Sequence, residues 1–577
     1  MARLEPSAGS PRAAWAVPFV LAVLTLLVSP DLMPAYSQIN AFDEAKYIES
    51  GRLLLRGELR ELVWGPIVAL VYAPLHLIFG ASPDWFVLEA RAGRILMFAS
   101  LWLATYHLAL QFRPMVRRSI TIGVLFISTS FFVVLKNPSD AVFAVFSALS
   151  LSRLIAFHHH RREGDIWLGS ALLALSILSR FEAIILFPFH VLAAVLWGRF
   201  TISIPRILLG ALLPATLILA GFILAFRATS PGLGLGVGSK SYTAFEANQP
   251  IPNTDSYEER MEERQALARE LFGTAQENQG SVLRAMMRNP IAFGERIVAN
   301  MVRVPDFFLE VFGKRLGPAF LLVGLWGAIS LLRTAHPGPA IVLAIWMLQP
   351  FVSLVFLPTH SVRQMSHLVL IISSIGFASM ISGRASAAAT SVPLAGALLL
   401  AGYGLLDAKL AFLVAGLVMA SALALISLTE HSEDSRTVKE VRGAAMLLAA
   451  GLILRGGYPF PDYSPMGTSP EEQVIHYLQA VLPRESRVLE SLPLPAVAAR
   501  MAEVSWSSAP DEISDASEFL AWLTEKRIQA VFVDSRRVPR PDLVAFMEAG
   551  LGSQFEIGYR SESGSLRVFL PLVQASE

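Results

Sequence analysis

Cysteine is absent from all 577 residues. That removes disulfides, thiolate metal sites and cysteine nucleophiles, while leaving the compartment open, since an oxidising space does not oblige a protein to use disulfides. Charge is nearly as scarce. Asp, Glu, Lys and Arg make up 16% of the chain, against ~25% in an average soluble protein, and 54% of residues are hydrophobic. Most of the chain therefore belongs in a bilayer. The formal net charge is +1 and no basic tract stands out, so nucleic acid is not an expected partner. No internal repeat is visible either.

The apolar segments come in a countable series. Residues 15–28 follow Arg3 and Arg12 and read as a retained signal-anchor, with a signal peptide cut near Ala35 as the other reading. Either way the basic N-terminus stays inside and Asp43 emerges outside. Further spans are expected at 88–112, 119–135, 140–157, 166–179, 183–197 and 207–226. Residues 63–79 form an ambiguous segment, interrupted by Pro66 and Pro74 and marginal for a ~30 Å hydrocarbon core. If it does not cross, then Arg113, Arg117, Arg118, Arg153, Arg161, Arg162, Arg199 and Arg206 all fall inside. The positive-inside rule thus favours a re-entrant or juxtamembrane segment at 63–80.

A polar insert at 227–315 then lies outside. It opens with PGLGLGVG, which follows no strand and is a poor phosphate loop. Residues 257–272 read as an exposed helix of alternating charge, and 290–312 as an amphipathic segment on the membrane surface. Spans at 316–332, 340–357, 365–381, 392–406, 408–428 and 441–454 bring the total to about thirteen crossings and leave the C-terminus outside. Residues 459–577 change in composition and read as a small extracytoplasmic α/β domain, set apart from the membrane domain at 1–458. Helices are expected there at 470–482 and 516–526, and strands at 487–492, 530–534 and 566–570, the last stopped by Pro571. No nucleophile elbow, zinc motif or phosphate loop appears in that domain.

The polar residues that bear on chemistry gather at the outer ends of these spans. Loop 36–62 carries Asp43 and Glu44, with Asp43 as a plausible N-cap. Arg52, Arg56 and Arg60 follow at i+4 spacing, the pattern of a cationic stripe on a surface helix. A carboxylate pair beside such a stripe is suited to activating a hydroxyl and holding a lipid phosphate. An interfacial loop whose charges only mark the end of the lipid fits the same stretch equally well. LKNPSD brings Lys136, Asn137 and Asp140 to the same face, SRFE brings Arg180 and Glu182, and PTHSVRQMSH brings His360, Arg363 and His367. His158, His159 and His160 are consecutive, so they do not all face one ion from a helix; they read as a polar helix end.

On these residues the chain resembles a family. DEAKYIESGRLLLRGELRELVWGPIVALVYAPLHLIFG is similar to the first outer loop of GT-C glycosyltransferases of the dolichyl-phosphate-mannose protein mannosyltransferase and aminoarabinose-transferase type, glycosyltransferase family 39 among them. NPSD, SRFE, RNPIAFGERIVANM and SVRQMSHLVLIISSIGFA resemble later landmarks in the same order, with Phe181 and Gln364 departing from the family's usual residues.

The resemblance implies an α-helical polytopic membrane protein of the GT-C type, in a bacterial inner membrane. It implies transfer of a sugar from a polyprenyl-phosphate carrier to a protein, lipid or glycan acceptor on the outer face, with inversion. Asp43 is then the general base, with Glu44 supporting it. Lys46, Tyr47, Arg52, Asp140, Arg180, Glu182, His360 and Arg363 contact the lipid phosphate or the acceptor. Asp43, Glu44 and Asp140 are also the candidates for holding a divalent cation, Mg or Mn. The competing class is a transporter or flippase of a polyprenyl-linked or other anionic lipid, which calls for polar groups near mid-membrane and paired half-helix breaks. A scaffold of the same type without catalysis is a third.

Overall fold

Residues 43–55 and 66–79 fold as two helices laid against a third. The computed structural model describes residues 43–58, 66–111, 137–229, 261–302 and most of 470–572, with short pieces at 39 and 242–251. Helix α1 (Asp43–Leu55) opens with the acidic pair, where negative charge suits a helix amino end. Asp43 is already its first helical residue, one position inside the N-cap expected for it, a shift within the usual uncertainty of helix ends. Helix α2 (Pro66–Phe79) has 14 residues, about 21 Å of rise, which falls short of a ~30 Å core. Its first half is buried, through Ile67, Val68, Tyr72 and Ala73, while Leu77 and Ile78 near its end are exposed. Gly51 lets α1 and α2 touch. A Cβ at that position would stand 2.6 Å from the carbonyl carbon and Cβ of Tyr72, so any larger residue pries the helices apart.

Helix α3 (Trp85–Leu110) leads into the bundle, followed by α4 (Pro138–His160), α5 (Glu163–Ser179), a 3-10 turn (Phe181–Ile185), α6 (Leu186–Gly198) and α7 (Ile204–Thr229). Five expected spans are thus helical, with boundaries shifted by a few residues. Among the described residues, Pro138–His160 and Ile204–Ala225 are long and apolar enough to cross a membrane by length and composition alone. The expected spans at 15–28, 119–135 and from 316 to 454 lie outside the described residues.

Pro138 starts α4, where its missing N–H costs nothing, and Arg161 ends it in the left-handed region at φ 56. The three histidines are the last residues of that helix, as their sequence suggested. Serines join the helices where apolar packing alone has no preference for direction. Ser150 Oγ donates to the Gly169 carbonyl at 2.8 Å, Ser170 Oγ to Ala211 at 2.5 Å and Ser176 Oγ to Phe143 at 3.3 Å.

The outer insert contains α8 (Met261–Phe272), α9 (Val282–Arg288) and α10 (Pro290–Val302), gathered around Tyr242, Phe245, Phe272 and Ala285. Beyond α11 (Pro470–Val481), five strands form one sheet. They are β1 (Arg487–Glu490), β2 (Ala502–Ser505), β3 (Ile528–Asp534), β4 (Phe555–Arg560) and β5 (Leu566–Pro571), in the order β2-β1-β3-β5-β4. The β1–β2 and β1–β3 pairs are parallel, and β3–β5 and β4–β5 antiparallel. Helices α12 (Ala516–Glu525) and α13 (Pro541–Ala549) flank β3 in sequence. Asp515 caps α12 by accepting from the Glu518 N–H at 2.9 Å, and the Glu518 carboxylate accepts from the Ser514 N–H.

The three strands expected from sequence are the central ones, β1, β3 and β5. The two that sequence reading missed, β2 and β4, are the sheet's edges, where no continuous apolar run is needed; β4 is largely exposed. Pro571 is the last residue of β5 rather than the residue after it.

This sheet unit rests on the corner between α2 and α3. Trp85 Nε1 donates to the Ala498 carbonyl at 2.9 Å, Gln479 Nε2 to Pro83 at 3.3 Å, and His476 Nε2 lies 3.4 Å from Asp84 Oδ1.

Candidate active site

Two buried ion pairs stand at the first turns of α4 and α1. Asp140, in the first turn of α4, accepts the charge of Arg180, the residue capping α5, with Nε 2.5 Å from Oδ1. The carboxylate is fully buried, whereas the guanidinium keeps part of its surface in solvent. Across the bundle, Arg94 of α3 grips Glu44 of α1 with two parallel bonds, Nε to Oε1 at 2.7 Å and Nη2 to Oε2 at 2.5 Å. Both side chains are buried.

His107 Nδ1 meets Ser152 Oγ at 2.6 Å and so joins α3 to α4. Helix α1, which carries Glu44, touches both α3 and α4.

More polar groups support the first pair. His76 Nδ1 lies 2.8 Å from Glu89 Oε1, between α2 and α3, with Trp85 edge-on to the imidazole at 5.0 Å. The Tyr72 ring fills the space above Gly93, where an added Cβ would meet its hydroxyl at 2.7 Å. Tyr72 feels the charges of Glu44, Arg94 and Glu89 together, so these groups form one buried cluster. Low dielectric makes such a cluster rigid when its partners are in place and costly when they are not.

The expected site residues are distributed as follows. Glu44 is held by Arg94 and Asp140 by Arg180, so the structure joins two members of the expected set, Asp140 and Arg180, directly. Tyr47 is buried and Lys46 half-buried on α1. Arg52 is only 5% exposed, and its Nη2 donates to Glu49 Oε1 at 3.0 Å. It faces inward, so the expected cationic stripe of Arg52, Arg56 and Arg60 does not form; among its described members only Arg56 is at the surface. The reason is Glu49, one turn earlier, which lets a guanidinium be buried as a pair. The side chains of Asp43 and Glu182, and residues His360 and Arg363 altogether, lie outside the described residues.

Arg94, Glu89, His76 and Tyr72 were missed because attention to span ends passed over residues inside an apolar run. The signal was present: two arginines and a glutamate within EARAGRILMF are expensive near lipid and demand partners.

Of the three candidates for a divalent cation, Glu44 and Asp140 each bond to a guanidinium and the side chain of Asp43 lies outside the described residues; among the described residues no group of three or more His, Asp or Glu gathers to hold a metal ion. In the outer insert, Arg296 is buried beneath Phe245, donating to Gln249 Oε1 at 2.9 Å and to the Phe245 carbonyl at 2.8 Å. Burial lowers its pKa to about 9, which still leaves it charged at neutral pH.

No family model matches the chain, and no curated protein matches it in sequence. Solved structures do match. ArnT from Cupriavidus metallidurans bound to undecaprenyl phosphate superimposes with a TM-score of 0.56 at 13% identity, covering 99% of this chain and 99% of that one. ArnT from the same organism in the apo state gives 0.56 at 15% identity, over 97% and 98%. At such identities the likeness concerns the fold. Over nearly its whole length, the chain shares the fold of ArnT, a membrane glycosyltransferase of the GT-C superfamily.

Proposed function

We propose that the protein is a membrane glycosyltransferase that moves a hexosyl or pentosyl group from a polyprenyl-phosphate donor to an acceptor hydroxyl or amine. The reaction takes place on the extracytoplasmic face of a bacterial inner membrane, where the C-terminal unit at 459–577 also lies. The acceptor is a protein, lipid or glycan. Segment 63–80 is juxtamembrane and does not cross, in keeping with the short rise of α2.

The observation that supports this reading is two buried ion pairs, Glu44–Arg94 at the first turn of α1 and Asp140–Arg180 at the first turn of α4, on helices that touch, within a fold shared with ArnT. Asp43, next to Glu44 at the start of α1, is the candidate base. Asp43 takes the acceptor proton as the acceptor atom bonds to the anomeric carbon. The bond from that carbon to the phosphate oxygen breaks on the opposite side, so configuration inverts. Polyprenyl phosphate is already a good leaving group, so no general acid is required. Its negative charge is received by Arg180 and Arg363, with Lys46, Tyr47, Glu182 and His360 contacting phosphate or acceptor. Arg52, committed to Glu49, is not among them. Glu44 acts as a pin that orients the first turn of α1 through Arg94.

The test is transfer from radiolabelled polyprenyl-phosphate sugars by purified protein in detergent. Asp43→Asn should lower turnover about 10²–10⁴-fold, the usual worth of a general base, with donor binding kept. Turnover that survived this change would move the base elsewhere. Tight lipid-phosphate binding without turnover on any donor would favour transport.

A further inference from the structure

One pattern of contacts runs along the seam between α2 and α3. Tyr72 of α2 lies over Gly93 of α3. One turn later on α2 and one turn earlier on α3, His76 Nδ1 stands 2.8 Å from Glu89 Oε1. Both contacts therefore keep a single antiparallel register. The His76 ring lies beside Gly80, where a Cβ would stand 2.9 Å from its Cε1 and Nε2, and Trp85 closes on it edge-on at 5.0 Å.

Each end of the seam is tied to another part of the molecule. At one end Tyr72 packs on Gly51 of α1, and Arg94, the residue after Gly93, holds Glu44. At the other, Trp85 donates to the Ala498 carbonyl of the sheet unit, which Gln479 Nε2 also reaches at 3.4 Å. Trp85, Val474, Leu478 and Ala498 share one buried core, so the sheet unit packs on the bundle instead of hanging from it. Apolar packing sets how close two helices come but lets one slide along the other. A directional bond to a carboxylate that is 0% exposed, as Glu89 is, fixes the register, since such a bond is costly to break inside a protein.

We infer that His76 is a positioning residue, which carries the docking of the sheet unit into the placement of the acidic start of α1. Trp85, oriented by its bond to Ala498, backs the imidazole. The imidazole holds Glu89 and so the register of α2 on α3. That register places Tyr72 and, with it, α1. His76 acts through these neighbours and touches no reacting atom. The sheet unit is thereby part of what orients the site. The mechanical link stands on these contacts; its consequence for turnover rests on the transfer reaction proposed above.

The test compares full-length wild type in detergent with His76→Phe, Trp85→Phe and the double variant. The first change keeps a ring beside Trp85 and gives up the bond to Glu89; the second gives up the tie to Ala498. Amide hydrogen exchange is followed by mass spectrometry, and transfer from the labelled donor by steady-state kinetics. Each single variant should speed exchange in α1 several-fold and leave α5 unchanged. In kinetics, kcat should fall about tenfold with donor KM kept, the mark of misplaced groups rather than lost donor contacts. The double variant should move neither readout further, since one break already opens the link, whereas independent effects would multiply. His76→Asn keeps an N–H for Glu89 and should recover part of both losses. Unchanged exchange in α1, effects that multiply, or no recovery with His76→Asn overturns the inference. If His76→Phe loosens α5 as well, Trp85→Phe decides by the same comparison. A wild type inactive on every donor would sink the proposed reaction and leave the exchange data to decide the link.

Discussion

The two ends of the helical bundle treat charge in opposite ways. Where α4 hands over to α5, Arg206 and Glu163 stand 3.8 Å apart, with the arginine side chain 73% exposed, and Arg153 meets Asp165 at 3.4 Å with partial exposure. At the other end, Glu44–Arg94, Glu49–Arg52, Asp140–Arg180 and His76–Glu89 are largely or wholly shut away from water. Charges that only mark where lipid stops need no burial; an exposed pair with its carbons in the interface does that at little cost. Burying ions is expensive and gains little stability over an apolar equivalent. Their concentration at one end therefore points to a requirement for fixed geometry there, which is what positioned catalysis or phosphate binding demands.

The sharpest test of this asymmetry is to strip one partner from a buried pair. Arg94→Leu should leave Glu44 buried without its cation and cost about 3–5 kcal/mol, read as a fall in thermal unfolding midpoint in detergent. A loss no larger than that at the α4–α5 end would erase the contrast. Next in size, Arg180→Ala should lower turnover about 10²–10³-fold, as loss of one charge-stabilising donor does. Steady-state kinetics with the labelled donor would measure it, and an unchanged rate would remove Arg180 from the phosphate site.

Trp85→Phe deletes the 2.9 Å hydrogen bond to Ala498 and leaves its carbonyl with the longer bond from Gln479 Nε2 at 3.4 Å. About 0.5–1.5 kcal/mol should be lost from the docking of the sheet unit, detected as faster proteolysis near residue 498. At the α4–α5 end, Arg206→Ala should change stability by about 1 kcal/mol or less.

Smallest of all is a pH effect on an exposed pair. Arg540 bonds to Asp542 at 2.7 Å and holds that carboxyl below its ordinary value. The sign follows from linkage. Stabilisation from this pair is complete above the ordinary aspartate pKa and is lost as pH falls through the depressed value. Arg540→Ala should therefore lower the thermal midpoint slightly at neutral pH and not below the acid transition.

Much of the architecture was legible because it depends on local pattern. The helices at 138–160, 163–179 and 204–229 announce themselves as apolar runs, and β1 and β3 as short apolar stretches between turns. The edge strands β2 and β4 did not, since an edge strand half in water needs no such run. Within the site, Asp140 and Arg180 were legible because each sits at the end of a span. The inward turn of Arg52 was not, because i+4 spacing fixes which residues share a face and leaves open which way the face points. The same spacing rule at Ala292, Arg296 and Asn300 conceals that this face, and not the apolar one, meets the protein.

Sequence alone determined the helical membrane class of the molecule and the long apolar helices at 138–160 and 204–229, since hydropathy acts residue by residue. Only the tertiary structure decided the partners. Glu44 and Arg94 are 50 positions apart, and Asp140 meets Arg180 across two helices. Such pairs are set by helix packing, down to the missing Cβ of Gly51, and no local periodicity encodes them.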